Sequence, residues 1–78
     1  MTNVHKEALN FDLYPSYSIP QNYAAFKIKF TNITQNESDD LEFEYQQKGY
    51  KIFHSDLVRQ NNNQFELTII VAKLEMTF

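Results

Sequence analysis

The chain has no cysteine, no tryptophan, one glycine and two prolines. Without cysteine there is no disulfide framework, no thiolate-bound zinc or iron–sulfur cluster, and no thiol nucleophile. The lone glycine, Gly49, excludes a phosphate-cradling loop, which uses several glycines to bring backbone close to the ligand. Apolar runs are short: Ile69-Ile70-Val71-Ala72 falls far below the roughly 18–20 residues that a membrane-spanning helix requires. The opening residues Met1 to Glu7 show no apolar stretch of a secretory leader. These absences set an expectation of a cytoplasmic protein that does not enter membranes.

What is present suits a folded unit. The chain has 78 residues, 42% hydrophobic and 22% charged, enough for one small core and too few for two domains. A net charge of −3 argues against a nonspecific nucleic-acid binder, which normally presents a basic surface. Seven Phe and five Tyr are a large aromatic load for a core of this size.

Residues 1–8 are polar and unpatterned and read as a flexible N-terminal arm, with residues 9–78 forming a single β-rich domain. Phe11, Leu13, Tyr17 and Ile19 alternate with polar residues as in a half-buried strand, interrupted by Pro15. Tyr23 to Thr31 alternates more cleanly, with Phe26, Ile28 and Phe30 opposite Lys27 and Lys29. Leu41, Phe43 and Tyr45 alternate with Glu42 and Glu44, which favours a strand closed by a Gln47-Lys48-Gly49 hairpin turn. Tyr50 to Val58 and Phe65 to Phe78 supply two further strands. The last is apolar on both faces between Ile69 and Ala72, which fits a bulge, a centre covered on both sides, or a partner surface. The fold expected is mainly β, a small antiparallel sheet of four to five strands. The alternative is α+β, ββαββ with one helix near residues 36–48, capped by Ser38, Asp39 or Asp40 and ended by Gly49.

Chemistry is thinly represented. His54, Ser55 and Asp56 are consecutive, but neighbours in a strand point to opposite faces, so only His54 and Asp56 can pair. A small hydrolase or metal enzyme centred on those two is one alternative function. Glu42 and Glu44 share a strand face in this reading, yet nothing builds a cleft around them, and the sequence nominates no metal site and no cofactor. Lys27, Lys29 and Lys51 with exposed tyrosines outline a second alternative, a single-strand nucleic-acid binder that stacks bases on aromatic rings. That motif needs its aromatics on the basic face, whereas Phe26 and Phe30 lie opposite the lysines.

The expectation carried forward is a non-enzymatic protein-interaction module that uses a β-sheet face or edge. Its partner is another protein chain, foremost a second copy of itself. The expected interface is Ile70, Ala72, Leu74, Met76 and Phe78 of the doubly apolar last strand, with Tyr17, Tyr45 and Tyr50, because tyrosine suits interfaces that are apolar at one end and wet at the other.

Overall fold

A computed structural model describes residues 3–74 of the chain. In order, these form β1 (Asn3–Ala8), two short 3-10 turns (Phe11–Leu13 and Pro15–Tyr17), β2 (Tyr23–Ile33), α1 (Gln35–Gln47), β3 (Lys51–Arg59) and β4 (Phe65–Leu74). The four strands make one antiparallel sheet in the order β1-β2-β4-β3. The domain is therefore mainly β with one helix, in the ββαββ order of the alternative reading. β2 and β3 run the same way with β4 between them, so α1 crosses the sheet to join them.

Three local expectations are corrected. Residues 3–8 are not a loose arm: Asn3–Ala8 pairs with β2 from Thr31 to Phe26. All six side chains are exposed, so no alternation marks the strand in the sequence, and its backbone ladder holds it in place. Phe11 to Tyr17 is not a strand. Asn10 caps the first turn through its side chain, Pro15 starts the second, and Ser18 ends it at a φ of 59°. Leu41 to Tyr45 is not a strand either, but the middle of α1.

The cap that starts α1 is Thr34 with Glu37, not Ser38, Asp39 or Asp40, which lie within the helix. The Thr34 hydroxyl accepts from the Glu37 N–H at 3.2 Å, while the Glu37 carboxylate accepts from the Thr34 N–H at 2.9 Å. At the other end the Gly49 N–H donates to the Gln46 carbonyl and the Tyr50 N–H to the Tyr45 carbonyl, each at 3.1 Å. Gly49 takes a φ of 93°, the left-handed residue that this helix ending needs. The Tyr45 and Tyr50 rings, 5.5 Å apart, close it with an aromatic contact.

The sheet is covered on both faces within one chain. Under α1, Ile28, Phe30, Ile33, Leu67, Ile69 and Val71 form one core, with Leu41, Tyr45 and Tyr50 packed on it. On the opposite face, Leu9, Tyr14 and Ile19 from the turn segment cover Ala25, Ile70 and Ala72. Of the three explanations for the doubly apolar Ile69 to Ala72, the structure shows a centre covered on both sides. As interface residues, Ile70 and Ala72 are corrected: they are 1% and 0% exposed in the single chain.

Candidate functional site

Beyond the turn segment, the face opposite α1 is polar and open. By register, His5, Lys29, Thr68 and Asp56 form one row across all four strands, and Glu7 and Lys27 open the next, which passes under the turn segment at Ile70. Lys29 is paired with Glu66 at 3.5 Å, and Glu42 and Glu44, expected to share a strand face, lie on the helix instead. His5, Glu7, Lys27 and Lys29 line a shallow hollow of about 60 Å³, with His5 and Glu7 3.8 Å apart. A second, open hollow of about 190 Å³ lies along α1 beside Glu37, Asp40, Leu41 and Glu44.

His54 and Asp56 do share the open face, as their β4 neighbours Ile70 and Thr68 show. The His54 ring packs against Tyr17, with centroids 5.6 Å apart, and among the described residues no ion pair joins it to Asp56. No group of three or more His, Asp or Glu that could hold a metal occurs among the described residues. Lys51 belongs to this face too, with its ammonium 5.4 Å from the Phe53 ring. Phe26 and Phe30 point to the helix side, so Lys27 and Lys29 gain no stacking platform from them.

The tyrosines expected at an interface have other duties. Tyr17 is half-buried against the smaller core. Tyr45 and Tyr50 belong to a chain of edge-to-face rings that runs from Phe30 through Tyr45 and Tyr50 to Phe26. Lysine ammonium groups lie over those rings: the Lys6 Nζ is 4.5 Å from the Phe26 centroid, that of Lys48 4.9 Å from Tyr45 and that of Lys73 5.7 Å from Tyr50. Leu74 is exposed, whereas Met76 and Phe78 lie outside the described residues.

The sheet's two edges differ chemically. β1 presents His5, Lys6 and Glu7 in succession. β3 is bulged at Phe53, where the register shifts between Ile52 and His54, and then runs regularly to Arg59. From His54 onward every residue is exposed, including Leu57 at 37% and Val58 at 48%. Leu57 faces the helix side and Val58 the open side, so apolar surface lies on both faces of this edge. The interface read from the sequence omits both residues. Their signal is the consecutive pair Leu57-Val58 closing an otherwise alternating strand, a pattern that also reads as a strand ending.

No family model, curated protein or solved structure matches this chain.

Proposed function

We propose that this chain is a non-enzymatic protein-interaction module whose working surface is the outer edge of β3, along which an extended segment of another chain adds as a further strand. One observation carries the reading: from His54 to Arg59 the strand is regular and exposed, and its outer backbone edge, which pairs with no other strand among the described residues, lies beside two uncovered aliphatic side chains. Strand addition draws affinity from main-chain hydrogen bonds and specificity from alternating side chains, and this edge offers both. An unpaired edge with exposed apolar residues is a pairing template unless something blunts it. β1 is blunted by consecutive charges, whereas the far half of β3 carries only Asp56 before its terminal Arg59. Action in the cytoplasm is part of the same proposal, supported by the absence of cysteine. No helix among the described residues is long and apolar enough to cross a membrane.

The test is a footprint. A partner captured by the wild-type chain should be lost with the double variant Leu57→Lys, Val58→Lys. In the isolated complex, amide protection should rise at residues 54–59. A footprint on Lys27, Lys29 and Lys51, with binding that collapses as salt rises, would instead identify a nucleic-acid ligand and reject the edge.

A further inference from the structure

We infer that the strand added to β3 is β3 of a second copy, antiparallel to the first, with the two-fold axis passing between the two Leu57 residues. This deepens the edge reading and rests on it. A two-fold axis perpendicular to the sheet keeps each face on its own side, so opposed residues must point the same way. The axis therefore lies between a residue and its own copy, and residues equally far from it on either side oppose each other.

Charge and apolar matching then select among the axes. On β1, an axis at Lys6 or Glu7 sets like charges face to face, and one at His5 sets Val4 against Lys6. On β3, an axis at Asp56 opposes two carboxylates. An axis at Ser55 brings Leu57 against Phe53, where the bulge has already broken the alternation. An axis at Val58 pairs only Leu57 to Arg59 within β3, and one at Val4 only Asn3 to His5 within β1, whereas an axis at Leu57 pairs five residues and avoids both faults. Leu57 meets its own copy on the helix side, Asp56 faces Val58, Ser55 faces Arg59, and no like charges are opposed. Every residue from Ser55 to Arg59 lies on the regular side of the bulge, and the exposed aliphatic pair is used. The result is a continuous eight-stranded sheet whose bulged halves of β3 splay beyond the paired region.

The absence of cysteine makes the test clean, because any cysteine introduced is the only one in the chain. Opposed Cα atoms in an antiparallel pair lie about 4.5–5.5 Å apart, within the span of a disulfide. Leu57→Cys under mild oxidation should therefore give a covalent dimer as the main product, while Val4→Cys on β1 and Ser55→Cys remain largely monomeric. Sedimentation of the unmodified chain should show twice the 9.3 kDa chain mass at high micromolar concentration. Leu57→Lys should raise the dissociation constant at least tenfold, whereas Lys27→Glu on the open face leaves it unchanged.

Efficient cross-linking at Ser55→Cys in place of Leu57→Cys overturns this register. A mass of 9.3 kDa at every concentration overturns the second copy as occupant. In that case a synthetic peptide of Lys51–Arg59, titrated into labelled protein, separates the two readings. Amide shifts at residues 54–59 keep the edge as a docking strand without the dimer; no shift rejects β3-to-β3 pairing altogether, and the edge reading is then rejected if the partner footprint also misses residues 54–59.

Discussion

At Tyr14 a phenol hydroxyl takes the place of a strand residue. Pairing of β1 with β2 ends at Ala8 opposite Phe26, and the Leu9 N–H still reaches the Ala25 carbonyl. Beyond that point the Tyr14 hydroxyl donates to the Tyr23 carbonyl at 3.0 Å and accepts from the Ala25 N–H at 3.1 Å. Tyr14→Phe keeps the ring and strands a buried N–H and a carbonyl, so urea denaturation should show a loss of about 1–3 kcal/mol. A loss of only a few tenths would mean that water reaches Ala25 and replaces the hydroxyl. Gly49 makes the second residue-scale case. A Cβ placed there would meet the Lys73 Cε at 3.5 Å, an ordinary contact, so the obstacle to substitution is its φ and not space. Gly49→Val should destabilise by at least about 1 kcal/mol, and Gly49→Asn by less, since asparagine tolerates the left-handed region. That a left-handed residue sits at Gly49 is legible in the sequence. Which element it ends is not, because a hairpin and a helix terminus both ask for the same glycine there.

Among the elements, α1 is where the pattern misleads, and the cause is chemical. The side of the helix against the sheet is Ser38, Leu41, Glu42 and Tyr45, a helical spacing in which two of the four residues are polar. Ser38 is buried because its hydroxyl donates to the Gln35 carbonyl at 2.6 Å and so needs no water. An apolar-only count sees Leu41, Phe43 and Tyr45 at a period of two and assigns a strand. The contrary signal is Thr34 followed three residues on by Glu37, a pairing that is informative because each side chain satisfies the other's backbone N–H. Phe43 separates the two readings by experiment. In a strand it would share the core face with Leu41 and Tyr45, whereas on α1 it is 61% exposed. Phe43→Ser should thus change stability by no more than about 0.5 kcal/mol, while Thr34→Ala, which removes the cap, should cost about 1 kcal/mol. The reverse order in a denaturation series would reject the helix.

For the whole molecule, the decisive element is β4, which sends alternate side chains into both cores: Leu67, Ile69 and Val71 under the helix, Ile70 and Ala72 under the turn segment. That it is apolar on both faces is visible in the sequence. What covers the second face is hidden, because Leu9, Tyr14 and Ile19 come from a segment whose residues mimic a strand and fold instead as two turns around Pro15. With one strand shared, neither core can open without loosening the other, and the domain should unfold as one unit. Ile19→Ala in the turn cover should lower stability by about 2–5 kcal/mol, the usual loss for a buried aliphatic side chain cut back to alanine. Far-UV circular dichroism, which reports α1 and the sheet, and tyrosine fluorescence, to which Tyr14 and Tyr17 contribute, should then shift together to the same new midpoint. Ile70→Lys should go further and prevent folding, since it sets an ammonium between β4 and the turn cover with no carboxylate among that core's buried residues to meet it. An early fluorescence transition in Ile19→Ala, with the circular dichroism midpoint unmoved, would show that the turn segment opens on its own. The face holding Ile70 and Ala72 would then be a surface uncovered at modest cost and not a permanent core.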